Sequence, residues 1–227
     1  MKKSKKYSAS LALIEKGKAY SLEEAVALVK KTATTNFDGT VDISFNLNID
    51  TKQADQQLRG TIVLPHGNGK TKKILAITGK VEEATAAGAD YVGGKELLQK
   101  IQSENWFDFD VIVATPDMMG ELGRMGRLLG PKGLMPNPKT GTVSPDIASA
   151  IKEIKAGKIE YRADKEGNMH LSVAKASFAD QDIIDNLKTV IDTVIKIRPA
   201  SVKGSYIKNV VIHSVMGPAV KVAVESR

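Results

Sequence analysis

Cysteine is absent from all 227 residues, which excludes disulfide bridges, thiolate metal sites, iron–sulfur clusters and cysteine nucleophiles. Histidine is scarce as well. His66, His170 and His213 are the full set, and none stands at metal-ligand spacing from another. No G-x-S-x-G nucleophile elbow occurs. The paired carboxylates (Glu23-Glu24, Glu82-Glu83, and Asp108 with Asp110) fall in or beside expected elements, where capping and solvated faces account for them. The chain therefore reads as non-enzymatic, without metal or cofactor. Aromatic residues make up only 5% and no RNP-type aromatic motif is present, which argues against a stacking platform for single strands. No apolar run approaches the ~18 residues of a membrane span. The basic start MKKSKKYSAS is followed by an apolar patch, Leu11 to Ile14, too short for a signal-peptide core. A cytoplasmic protein with no membrane partner is expected.

What is present points to an anionic macromolecule. A hydrophobic fraction of 42% beside 26% charged residues marks an ordinary globular chain. Its net charge of +7 makes nucleic acid the commonest class of partner. The most distinctive segment is Gly126 to Val143, GRLLGPKGLMPNPKTGTV. Its glycines permit close backbone approach and positive φ, its prolines fix φ, and Arg127, Lys132 and Lys139 supply charge. Composition leaves two readings open: a loop that faces an anion, or a long structural turn.

Periodicity divides the chain. Ser21 and Glu24 form a capping box ahead of a helical apolar face. Val41 to Ile49, VDISFNLNI, alternates as a half-exposed strand does, and Thr61 to Leu64 reads as a second strand. Near the other end, a helix led by Asp180 and Asp182 and closed by Pro199 precedes two strands, Asn209 to Val215 and Val220 to Val224. The middle differs. Ile74 to Thr78 and Val111 to Thr115 are continuous apolar runs, as expected for strands covered on both faces. Helical patterns over Val81 to Gly88, Lys95 to Ser103, Met118 to Leu129 and Pro145 to Ala156 alternate with them. The fold class expected is thus mixed. A discontinuous two-layer α+β domain, residues 1–66 plus 159–227, carries an inserted, doubly wound, Rossmann-like α/β domain, residues 67–158. Gly67, Gly69 and Gly157 mark the two connections as a hinge.

Two glycine motifs are weaker than they look. Gly67 to Thr71 ends like a phosphate loop, but the first glycine of G-x-x-x-x-G-K-S/T is replaced by Leu64 and a strand follows, so a linker is the better reading. Gly93-Gly94-Lys95 opens a helix in ordinary turn fashion. A phosphate-handling enzyme would need nucleotide binding near Lys70 or Lys95. With few aromatics, folded RNA is the better target, recognised through phosphates, ribose hydroxyls and shape. Phe37, just before the first strand, and Met216-Gly217, between the last two, read from the residues alone as core plus turn.

The Gly126 to Val143 loop, together with FDGTVDISFNLNID, LRGTIVLPHGNGK, RADKEGNMH and SVMGP, closely resembles the universal L-one family of bacterial large-subunit ribosomal proteins. The resemblance extends over essentially the whole chain. It implies the discontinuous two-domain fold, no enzymatic activity, and a protein that is monomeric when free. The implied partners are the stalk of 23S ribosomal RNA, the exit-site tRNA whose movement and release it assists, and its own operon's messenger RNA, which it represses. The family's RNA-contacting positions match Phe37, Thr40, Asp164, Lys165, His170, Met216 and Gly217. In that scheme Phe37 packs on RNA, and Thr40 with the Met216-Gly217 backbone hydrogen-bonds it. Lys165 adds charge, and Asp164 orients it or accepts from ribose. Val215 stands where some relatives have threonine and Asn209 where they have serine. The inserted domain's Arg124, Arg127, Lys132 and Lys139 are then expected to meet tRNA or to serve domain closure.

Overall fold

The computed structural model describes residues 4–224. The chain opens with α1 (Lys5–Ala12), α2 (Leu22–Thr32), β1 (Thr40–Leu47) and β2 (Arg59–Val63). Next come β3 (Ile74–Ile77), α3 (Val81–Ala86), β4 (Tyr91–Gly93), α4 (Lys95–Glu104), β5 (Val111–Ala114), α5 (Met119–Arg124), α6 (Gly126–Leu129) and α7 (Ile147–Lys155). It closes with β6 (Lys158–Arg162), β7 (Asn168–Lys175), α8 (Asp180–Lys196), β8 (Ile207–Ser214) and β9 (Val220–Lys221). Two compact units result, one from the chain up to Gly69 and from Ile159 onward, the other from Lys70–Lys158.

In the first unit an antiparallel sheet of order β7-β1-β8-β9 packs α2 and α8 on one face. The alternation of β1 decides the layering. Val41, Ile43, Phe45 and Leu47 point into a single core with Val29, Leu187 and Val190, while Thr40, Asp42, Ser44 and Asn46 stay partly exposed. Such alternation fits a sheet with one wet face. The capping box forms as written in the sequence: Ser21 Oγ accepts from the Glu24 amide at 3.3 Å, and the Glu24 carboxylate accepts from the Ser21 amide at 3.4 Å. Asp180 and Asp182 sit in the first turn of α8 and Lys196 in the last, each suited to the helix dipole.

The second unit has a parallel sheet of order β4-β3-β5. Successive residues of β3 serve opposite cores: Leu75 and Ile77 pack with α4 to α6, Ile74 and Ala76 with α3 and α7. This is why the strand reads as an unbroken apolar run. The helix expected over Met118 to Leu129 is broken. A 3₁₀ turn (Pro116–Met118) leads into α5, and α6 follows after Met125. Gly120, Gly123 and Gly126 explain the break, since each costs a helix interior about 1 kcal/mol relative to alanine.

Gly126 to Val143 is mostly a structural turn. It contains α6 and a 3₁₀ turn (Pro138–Thr140), and it ends beside β5, where the Ala114 amide donates to Thr142 O at 3.0 Å and the Ser144 amide to Ala114 O at 3.2 Å. The first crossing between units follows Gly69. Asn186, fully buried on α8, holds the chain just before it: its Oδ1 accepts from the His66 amide at 3.2 Å and its Nδ2 donates to Gly67 O at 2.8 Å. Gly67, Gly69 and Gly157 all have positive φ. A side chain at Gly69 would be strained, because its φ is +70° and a Cβ there would lie 2.7 Å from Lys175 Cγ, which would have to move.

Candidate nucleic-acid interface

The wet face of the first unit's sheet carries Thr40 and His170, and the other expected contact residues stand beyond the two ends of this face. Strand register sets four rows: Lys175 lies opposite Thr40, Ser172 and His213 flank Asp42, His170 lies opposite Ser44, and Asn168 and Asn209 flank Asn46. At ~3.3 Å per residue the strip runs about 20 Å from Thr40 to Asn46. One end meets the Met216-Gly217 turn and the other meets the turn that carries Asp164 and Lys165. The expected residues therefore form a track with two ends and not a single cluster.

At the first end the Val215 amide donates to Thr40 O at 3.0 Å, which fixes the turn after β8 to the start of β1. Phe37 is 57% exposed and Met216 75%, so neither is core. Both line one pocket of about 360 Å³, whose rim includes Thr35 and Asn36. Met216 has φ +61, a left-handed conformation that costs a non-glycine residue ~1–2 kcal/mol. Gly217 is favoured for a different reason: a Cβ there would stand 2.4 Å from Ser214 Oγ. Its amide donates to Ser214 O at 2.9 Å, so a hydrogen bond from Gly217 to RNA would be made by its carbonyl. Met216's own amide and carbonyl take no hydrogen bond among the described residues. They are left with hydrogen-bonding capacity.

Lys175 is a contact candidate that sequence reasoning missed. Its ammonium lies 3.3 Å from both Thr40 Oγ1 and Asp38 O, so Thr40 accepts there and keeps its own proton to donate. Asp42, Ser44, His170, Ser172 and His213 enclose a second, polar groove of about 250 Å³. In it His170 Nδ1 and Ser44 Oγ are 2.8 Å apart, and Asp42 Oδ1 has no partner among the described residues. The signal for this groove was the polar half of the VDISFNLNI alternation.

At the second end Asp164 serves its own turn. Oδ1 accepts from the Glu166 and Asn168 amides at 2.9 and 2.7 Å, and Oδ2 from Asn168 Nδ2 at 3.3 Å. Desolvation acts to raise the Asp164 carboxyl, but donation from Asn168 and Glu166, with the His170 charge, outweighs it and holds the group below its ordinary range. Asp164 is tied to its own turn and makes no ion pair with Lys165 among the described residues, while its exposed Oδ2, with one hydrogen bond, can still accept from a ribose. Lys165 is placed by its backbone, whose carbonyl accepts from Thr51 Oγ1 at 2.9 Å.

The remaining cations belong to the second unit. Arg124 pairs with Glu121 at 3.4 Å, alongside Lys95 at 3.0 Å. The Lys132 ammonium sits 4.2 Å from the Phe107 ring centroid. Arg127 and Lys139 are exposed, with no ion pair among the described residues. No group of histidine and carboxylate side chains suited to a metal ion occurs among the described residues, and no helix there is long and apolar enough to cross a membrane.

A paired exposed Phe and left-handed Met beside a polar sheet face do not name a family by themselves. The family model described as ribosomal protein L1p/L10e matches residues 29–218, which covers the whole second unit, most of the first and every expected contact residue. The chain belongs to that family. Relatives agree along nearly the full length. The large ribosomal subunit protein uL1 of Mesoplasma florum is 57% identical over 222 residues, spanning 97% of this chain and 98% of its own. The protein of the same name from Mycoplasma capricolum subsp. capricolum is 56% identical over 220 residues, spanning 96% and 97%. Membership makes the chain a structural ribosomal protein and not an enzyme.

Proposed function

We propose that the chain is a constituent of the large ribosomal subunit in the cytoplasm and that its first unit holds the stalk of 23S ribosomal RNA. The names of both relatives support the large-subunit reading. One observation carries the choice of surface: Met216 is displayed to solvent in a strained conformation beside an exposed Phe37. A soluble protein recovers neither the strain nor the exposed apolar area unless a partner covers them. Thr40 Oγ1, the Met216 backbone, Lys165, Lys175 and His170 supply the polar contacts to phosphate and ribose.

The same surface serves a second RNA. A leader in the protein's own messenger that presents a similar fold competes for it, and each 1.4 kcal/mol of difference gives about a tenfold preference. Free protein, a monomer, then represses translation once the ribosomal site is filled. Arg124, Arg127, Lys132 and Lys139 are assigned to exit-site tRNA or to closure of the domains, with Gly67, Gly69 and Gly157 as the hinge. Hydroxyl-radical footprinting on isolated large-subunit RNA tests the target. Protection confined to one stalk at unit stoichiometry is expected, and protection spread over many helices contradicts it. Salt-washed subunits probed for this chain separate a ribosomal constituent from a purely regulatory RNA-binding protein.

A further inference from the structure

The pocket at the Phe37–Met216 edge has a wall from another part of the chain. Ser4, Lys6 and Tyr7, at the start of α1, line it too. The amino-terminal helix is held where it can do so. Ser4 Oγ caps α1 by accepting from the Tyr7 amide at 3.2 Å. Beyond the helix, Ile14 packs on the main core, and the Glu15 amide donates at 2.9 Å to the hydroxyl of buried Tyr20. Tyr20 in turn joins the sheet region through a bridge to Val222.

The lining asks for a particular guest. Phe37, Tyr7 and the Met216 thioether offer flat or polarizable apolar contact. Asn36 and the amide and carbonyl of Met216 offer hydrogen bonds to an edge, Thr35 Oγ1, whose proton goes to Phe37 O at 2.9 Å, can accept, and Lys6 offers one positive charge. A planar apolar face, a hydrogen-bonding edge and an adjacent anion together describe a nucleotide. The volume, about 360 Å³, lies at the small end of the ~300–1,000 Å³ range of ligand pockets, which suits one nucleotide and not a stack. We infer that a single unpaired nucleotide of the bound RNA seats here, its base against Phe37, Met216 and Tyr7 and its phosphate beside Lys6. The amino-terminal helix is thereby part of the RNA-binding surface. This inference rests on the RNA-binding reading given above.

The test uses the full chain and a large-subunit stalk RNA fragment. Affinities are measured for wild type, Tyr7→Ala, Tyr7→Phe, Lys6→Ala and Met216→Asp, with 2′-hydroxyl acylation of the RNA in each complex. Tyr7→Ala is expected to lose roughly five- to hundredfold in affinity, the range for one base–aromatic contact, while Tyr7→Phe stays near wild type. Lys6→Ala is expected to lower the salt slope of binding by about 1. One unpaired nucleotide is protected by wild type and becomes reactive again with Tyr7→Ala. If Tyr7→Ala and Lys6→Ala bind as wild type while Met216→Asp is impaired, the nucleotide subsite falls and the RNA-binding surface stands. If Met216→Asp also binds as wild type, both fall. Weakened binding of Tyr7→Ala with a lowered melting temperature and unchanged nucleotide protection overturns the subsite. So does concentration-dependent dimerisation in sedimentation that Tyr7→Ala abolishes, because a second copy then fills the pocket.

Discussion

Met216 is a residue where conformation and the proposed RNA contact oppose each other. Its left-handed backbone costs roughly 1–2 kcal/mol. Met216→Gly should therefore raise stability by up to about 1 kcal/mol in denaturant titrations while weakening RNA binding. Gly217→Ala should do the reverse of relief, costing roughly 1–3 kcal/mol because the new methyl meets Ser214 Oγ. Tyr206 carries a strain of another kind. Its hydroxyl is buried with no partner among the described residues, and burial, reinforced by Tyr161 and opposed by Arg198, pushes its pKa up to about 12. The folded state thus keeps the proton longer than the unfolded chain, whose tyrosine titrates near its ordinary ~10. Stability from this source is complete below about pH 10 and is lost as pH rises to about 12, on the order of 2–3 kcal/mol. Thermal melts across that window should fall less steeply for Tyr206→Phe than for wild type.

Among the elements, α8 does more than cover the sheet. Asn186 holds His66 and Gly67 of the chain leaving β2 and also donates to Val173 O at 2.9 Å. Asn186→Ala strands the buried Val173 carbonyl and frees the part-buried His66 amide and Gly67 carbonyl, and should cost about 2–4 kcal/mol in chemical unfolding. The elements with strong local signals were legible in the sequence: α2 from its capping box, β1 from alternation, α8 from its dipole-matched ends, and β3 and β5 from unbroken apolar runs. Others gave too little local signal. β4 has three residues, and β6 and β7 become strands through pairing partners distant in sequence. The site was legible only through resemblance. From the residues, Phe37 and Met216 looked like core plus turn, because exposure is set by the tertiary fold and an apolar residue does not announce it. Lys175 stayed hidden because its partner, Thr40, lies 135 residues away.

For the whole molecule, each unit has a hydrophobic core of its own, the first in one cluster and the second on both faces of its sheet. Replacing residues 70–158 by a short glycine–serine linker should leave a first unit that unfolds cooperatively and still binds stalk RNA. Non-cooperative unfolding would show that its core depends on the insertion. In the proposed binding mode, RNA is held by the end of the sheet around Met216 and not by the cations of the glycine- and proline-rich loop. The direct measurement is the affinity of stalk RNA for Met216→Asp set against the double variant Arg127→Ala, Lys139→Ala, each checked for an unchanged melting temperature. Aspartate tolerates the left-handed conformation, so the fold persists while a negative charge faces the phosphates. The account predicts that Met216→Asp loses at least about a hundredfold in affinity, near 2.7 kcal/mol, and that the loop variant changes it by less than about threefold. Equal losses from the two, or wild-type binding by Met216→Asp, would contradict it.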